Sequence, residues 1–133
     1  MWIPLILNLI FLPIAALHFY WALGGSWGLR YVLPQLPNQQ FSPPPWASFA
    51  VGLCFLGLGL LYALPSHYFG PQFLRYSSWV LALVFALRAL GDFRYVGWSK
   101  THREGDFALW DDFCFSPLVA GIALLLVLYA TGC

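Results

Sequence analysis

The chain has 133 residues, 61% hydrophobic and 8% charged, with a formal net charge of +1. An ordinary soluble domain carries about 25% charged residues, and eleven charges cannot cover a water-facing globule of this size, so a soluble domain, a disordered chain and a secreted disulfide scaffold are set aside. About 20 apolar residues make one helical crossing of a bilayer. The length therefore accommodates four crossings in a single integral membrane domain, and the fold class expected is an all-α, polytopic four-transmembrane-helix bundle.

Taken in chain order, the first span is predicted over 2–24, interrupted by Asn8, Pro13 and His18. Pro13 removes a backbone donor, a defect membrane helices tolerate when neighbours satisfy the freed carbonyl. Met1-Trp2-Ile3-Pro4 carries no Lys or Arg, so a retained span is expected and not a cleaved leader. A proline-rich loop follows, with Pro34, Pro37, Pro43, Pro44 and Pro45, stiff and extended. The second span is predicted over 46–64. A short connection with His67 and Arg75 leads to the third span, predicted over 74–98 because the apolar run to Leu87 alone is too short to cross. The second long loop holds Lys100, His102, Arg103, Glu104 and Asp106. The fourth span is predicted over 113–130, beginning at Ser116-Pro117 or, with a kink, near Asp112.

The tryptophans and tyrosines fall near the proposed borders, where an amphipathic ring meets both lipid and water. The long loops carry Arg30, Arg94, Lys100 and Arg103 against Arg75 on the opposite side. This bias predicts cytoplasmic long loops and both termini outside. An internal likeness also runs through the chain. Ala22-Leu23-Gly24, Arg30-Tyr31-Val32, Phe41-Ser42-Pro43 and Leu61-Tyr62-Ala63 recur in order as Ala89-Leu90-Gly91, Arg94-Tyr95-Val96, Phe115-Ser116-Pro117 and Leu128-Tyr129-Ala130. It is read either as two repeated helical hairpins or as chance in a biased composition. Small residues at helical spacing, Ala47, Ala50, Cys54 and Gly57 in the second span and Ser116, Ala120, Ala123 and Ala130 in the fourth, are expected at helix–helix contacts or a self-association face.

The chemistry-bearing residues gather at one expected membrane face. His18 is a candidate acid–base, and Trp21 shares its helix face. Arg88 is costly in hydrocarbon, and Asp92, four residues on, is the expected partner that positions it. Arg94 and Tyr95 follow. Asp111 and Asp112 are expected at the N-terminus of the fourth span, where the helix dipole favours anions. The three cysteines form no C-x-x-C pattern, and with Cys133 as the last residue no prenylation box is expected. No second histidine lies at ligand spacing, so neither a metal nor any cofactor is indicated. The small net charge points away from nucleic acid.

His18-Phe19-Tyr20-Trp21-Ala22-Leu23-Gly24-Gly25 resembles the H-x-Y-W-A-x-G-G segment of a group of small bacterial membrane proteins. Arg88-Ala89-Leu90-Gly91-Asp92-Phe93-Arg94-Tyr95-Val96-Gly97 resembles its R-A-x-G-D-F-R-Y-V-G segment. The stretch from Asp111 to Ser116-Pro117 is similar to its D-x-x-x-Y-S-P, with Phe115 in place of the usual Tyr. This group is the domain of unknown function 3995 family. The resemblance implies a four-helix membrane protein, brings no established activity, and points at His18, Trp21, Arg88, Asp92, Arg94 and Tyr95 as site residues.

Three roles are weighed from these residues. The leading expectation is an integral membrane protein of a bacterial plasma membrane. It binds a lipid or small amphipathic molecule in a polar pocket at the cytoplasmic side, with His18, Trp21, Arg88, Asp92, Arg94 and Tyr95 as its ligand-binding residues. The alternatives are a membrane-embedded enzyme using His18 as acid–base and a transporter or structural subunit, which would need a homo-oligomer.

Overall fold

Three of the long helices carry a proline at their first or second position, where its missing N–H costs nothing. In the computed structural model, residues 2–36, 38–40 and 42–132 are described, Gln39 and Gln40 by backbone only. Helix α1 is Ile3–Ala22, with Pro4 in its first turn. A one-turn helix α2, Leu29–Val32, is followed by an antiparallel pair, β1 (Gln35–Leu36) and β2 (Gln39–Gln40). Helix α3 is Pro45–Ala63 and α4 is Pro71–Leu90. A continuous helical run then comprises α5 (Asp106–Trp110), a π-helical turn (Asp111–Phe115) and α6 (Ser116–Thr131). Among the described residues the protein is all-α apart from the two-residue strands. Pro37, Phe41 and Cys133, which enter the loop, repeat and cysteine readings, lie outside the described residues.

Among the described residues, four helices are long and apolar enough to cross a membrane: Ile3–Ala22, Pro45–Ala63, Pro71–Leu90 and Asp106–Thr131. The chain is an integral membrane protein by length and composition. Its outward side chains agree, since Leu9, Val80, Leu83 and Leu124 are each at least 60% exposed in mid-helix. Water would penalise such faces; acyl chains do not.

Two helix borders differ from expectation. The third helix ends at Leu90, well short of Trp98, and recovers its length by starting at Pro71. Gly91 adopts a left-handed conformation (φ +94°) that stops it. Trp79 accordingly sits inside α4, away from its ends. The fourth helical run begins at Asp106, ahead of both starts considered. Its π turn accommodates Pro117, whose ring would clash with the carbonyl four residues back; Ser116 N–H instead donates to Asp111 O, five residues back.

Contacts divide the chain into two compact units. One comprises Met1–Ser26, Pro43–Ser78 and Leu128–Cys133. Here α1 packs on α3. Leu7, Phe11 and Ala15, four residues apart, are buried along one stripe of α1. Phe11 meets Phe55 at 5.9 Å and Tyr62 at 6.4 Å. The close approach comes from Gly52 and Gly59: a Cβ there would lie 2.8 Å from the Phe19 ring and 2.8 Å from Leu12 Cδ2. This corrects the expected small-residue contact, because Ala50, Cys54 and Gly57 are exposed on another face of α3. The corresponding set on α6 is turned inward, with Ser116, Ala123 and Ala130 buried. Buried Tyr62 donates its hydroxyl proton to Ser78 Oγ (2.6 Å), which donates to Leu74 O (2.6 Å), so these hydroxyls are matched within the apolar interior.

The second unit comprises Trp27–Ser42 and Trp79–Val127. It joins the two long loops: Arg30 pairs with Asp106, and Tyr31 packs against Trp110 at 5.6 Å. Phe107 and Phe115 stack at 6.3 Å. The internal likeness is matched by local structure at Ala22-Leu23-Gly24 and Ala89-Leu90-Gly91, which both end a helix on a positive-φ glycine, and at the helical Leu61-Tyr62-Ala63 and Leu128-Tyr129-Ala130, but not at the Arg-Tyr-Val pair. Arg30-Tyr31-Val32 is helical, whereas Arg94-Tyr95-Val96 lies in a loop. What the Arg-Tyr-Val pair shares is a guanidinium 5.3 Å from the centre of the following tyrosine ring.

Candidate functional site

The site is built on the loop that closes α4. A helix C-terminus leaves carbonyls without partners. Residues 91–99 fold back to supply donors: Gly91 N–H to Leu87 O (2.8 Å), Trp98 N–H to Ala89 O (2.9 Å) and Ser99 N–H to Leu90 O (3.0 Å). Two glycines make this fold possible. A Cβ on Gly91 would meet Val96 O at 1.7 Å, and one on Gly97 would meet Gly91 Cα at 2.4 Å. Both adopt positive φ. Phe93 joins them at φ 65°, a conformation unfavourable for a bulky side chain.

Asp92 organises the loop interior. Its Oδ1 accepts three successive backbone N–H groups, from Arg94 (2.9 Å), Tyr95 (2.8 Å) and Val96 (2.9 Å). Such a nest favours the carboxylate over the acid. Desolvation acts to raise the Asp92 carboxyl, but the hydrogen bonds from Val96, Arg94 and Tyr95 outweigh it and hold the group below the ordinary carboxylate range. Asp92 is thus a loop anchor and not the partner of Arg88. The expected i, i+4 pairing fails because the helix ends between the two residues, so they no longer share a helical face.

Arg88 pairs instead with Asp111, 23 positions along the chain and on the π turn: Arg88 Nη2 donates to Asp111 Oδ1 at 3.0 Å. Asp111 is fully buried. Its Oδ2 accepts from Gly97 N–H (2.7 Å) and from Lys100 Nζ (3.1 Å). Lys100, also buried, makes two further bonds, to Gly97 O (3.1 Å) and to Asp112 Oδ1 (2.5 Å). Arg103 completes the chain of charges, donating Nη1 to Asp112 Oδ2 (2.9 Å) and Nη2 to Trp98 O (2.9 Å).

Three cations therefore meet two carboxylates. Asp111 is not a simple dipole cap for the fourth helix, because it joins that helical run to α4 and to the loop that ends α4. The roles of Asp111, Lys100 and Arg103 are not legible in the sequence, where Lys100 and Arg103 simply fall in the second long loop. The signal available was charge content: six of the chain's eleven charges lie from Lys100 to Asp112 in a composition that otherwise avoids them.

One donor in this network has no acceptor. Arg88 Nη1 is covered and makes no hydrogen bond among the described residues, although the side chain as a whole is 35% exposed. Arg94 lies with its guanidinium over the Tyr95 ring, and Tyr95 meets His102 edge-on at 5.4 Å.

His18 and Trp21 belong to the other unit. His18 Nδ1 donates to Ile14 O at 2.8 Å, one turn back in α1. Its ring stacks on Phe55 (5.8 Å) and meets Trp21 edge-on (5.1 Å). Among the described residues no set of three His, Cys, Asp or Glu side chains is placed to hold a metal ion.

The segments that form this site fall within a recognised family. The family model described as "Protein of unknown function (DUF3995)" matches residues 11–126. The chain belongs to this family. The match extends from mid-α1 into α6 and so takes in both His18 and the Arg88–Asp111 network. No curated protein and no solved structure matches the chain.

Proposed function

We propose that this DUF3995 protein binds a lipid or small amphipathic molecule through an anionic group held at Arg88. The Lys and Arg bias of the long loops assigns this end of α4 to the cytoplasmic side. The observation carrying the reading is the covered, unmatched Nη1 of Arg88 beside a network whose cations outnumber its carboxylates. A buried donor without an acceptor costs free energy, and an oxygen anion from the membrane removes that cost. Asp111 orients the arginine through Nη2; Nη1 is covered, so a headgroup oxygen reaches it by displacing the side chains over it at the partly exposed arginine. Arg94 and Tyr95, raised on the loop that Asp92 anchors, supply a cation and an aromatic face for the remainder of the headgroup.

Native mass spectrometry of gently solubilised protein tests this reading. The wild type is expected to carry a bound amphiphile whose occupancy falls severalfold in Arg88→Gln. Unchanged occupancy in a folded Arg88→Gln protein rejects it.

A second reading, an enzyme acting on a membrane-soluble substrate, draws on His18. With Nδ1 committed as a donor to Ile14 O, proton exchange with a substrate would run through Nε2. Turnover by the purified protein, abolished in His18→Gln, distinguishes catalysis from binding.

A further inference from the structure

The anion-binding reading at Arg88 becomes more specific once the donors and acceptors around it are followed one by one. Lys100 has three acceptors, Gly97 O, Asp111 Oδ2 and Asp112 Oδ1, one for each ammonium proton. Both terminal nitrogens of Arg103 are engaged, by Asp112 Oδ2 and Trp98 O. All four oxygens of Asp111 and Asp112 already accept at least one bond. The network's own acceptors are therefore committed, and its surplus of one positive charge is left at Arg88, whose Nη1 has none.

The depth of Arg88 narrows the chemistry of a missing acceptor. Helix α4 has 20 residues, about 30 Å, which matches the hydrocarbon thickness. Arg88 stands two residues before its last residue, about 3 Å from that end, so its guanidinium is at the level where lipid phosphodiesters begin. The segments bonded to it carry Trp98 and Trp110, both 46% exposed, the residue type that favours this level. The oxygen anion that every phospholipid offers at this depth is its phosphodiester. A zwitterionic lipid offsets that charge with its own amine, whereas a monoanionic lipid matches the surplus of one.

We infer that Arg88 donates to the phosphodiester of a monoanionic phospholipid and that the +1 balance of the Arg88–Asp111–Lys100–Asp112–Arg103 network makes the site select such lipids over zwitterionic ones. This rests on the proposed anion site and adds the class of ligand. The headgroup donates no bond to the network; it is the acceptor, and Arg88 Nη1 the donor.

The test uses the full chain, delipidated in detergent and examined by native mass spectrometry with four separate additions: dioleoylphosphatidylglycerol, dioleoylphosphatidylethanolamine, oleate and inorganic phosphate. One surface cation contributes about a fivefold preference for an anionic lipid, so phosphatidylglycerol is expected to be retained about fivefold better than phosphatidylethanolamine. Arg88→Gln should equalise the two. Because that variant leaves Asp111 short of a partner and can fail to fold, Arg88→Lys is measured beside it: it keeps a cation for Asp111, lacks the second terminal nitrogen, and should lose most of the preference while retaining the wild-type melting temperature. Equal retention of the two phospholipids by the wild type overturns the inference, as does a preference unchanged in folded Arg88→Lys. Displacement of phosphatidylglycerol by inorganic phosphate at comparable concentration overturns the lipid source. Arg88-dependent retention of oleate without phosphatidylglycerol overturns this inference while the broader anion site stands. No Arg88-dependent retention in any addition removes both.

Discussion

Asp111 is the residue on which the polar network depends. It is fully buried and serves Arg88, Lys100 and the Gly97 N–H together. Removing its charge leaves a buried ammonium facing a neutral amide, a change that typically costs about 3–5 kcal/mol. Asp111→Asn is expected to lower the melting temperature in detergent far more than Asp112→Asn, because Asp112 is partly exposed and shares the charge of Lys100 with Asp111. Equal effects from the two substitutions would contradict the central placement of Asp111.

Asp92 makes a different prediction, one of pH. Its folded-state ionisation lies below the ordinary carboxylate range, the backbone N–H groups of Val96, Arg94 and Tyr95 overcoming the opposing effect of desolvation. A group with a depressed folded pKa contributes stability above its unfolded pKa and loses it as pH falls through the folded value. Asp92→Asn keeps an acceptor oxygen but no charge. The wild type should therefore be the more stable at neutral pH, with the gap closing on acidification below the usual carboxylate range. Melting curves of both proteins across that range measure it; a gap that widens on acidification would reverse the sign.

Among the elements, the loop of residues 91–99 is the least tolerant of change. Gly97 holds positive φ and packs within 2.4–2.6 Å of where a Cβ would meet Gly91 and Leu90 backbone atoms. Backbone strain alone is worth about 1–3 kcal/mol, and the contact with immovable backbone adds to it. Gly97→Ala is expected to abolish or sharply reduce the yield of folded protein, whereas Gly121→Ala, with open space at its Cβ position, should be neutral. Thermal unfolding and purification yield compare the two. The same element shows the limit of reading local spacing. Arg88 and Asp92 have the i, i+4 separation of a helical ion pair, yet Gly91 ends the helix between them and Asp92 turns to the loop's own N–H groups.

Across the molecule, the outward apolar faces have a consequence that chemistry can read. Cys54 is the middle residue of α3 and is exposed. In a membrane this places its thiol among acyl chains, out of reach of a charged water-borne reagent. In a variant carrying Cys114→Ser and Cys133→Ser, Cys54 should resist a charged maleimide in intact membranes and react fully once the protein is denatured. Rapid labelling in intact membranes would mean that α3 does not cross the bilayer.

Composition and hydropathy by themselves determined that the chain is an all-α membrane protein with four spanning helices, because apolar runs of about 20 residues have few other stable environments. The sequence motifs also determined its family and singled out Arg88. Tertiary structure alone decided the partner of that arginine, the burial of Lys100 and the choice of Gly52 and Gly59 over Ala50, Cys54 and Gly57 as the packing face of α3. Those outcomes depend on where a helix stops, how a π turn shifts the phase of the residues beside it, and which face a neighbour covers. Residue spacing carries none of that information, since an ion pair 23 positions apart leaves no periodic trace along the chain.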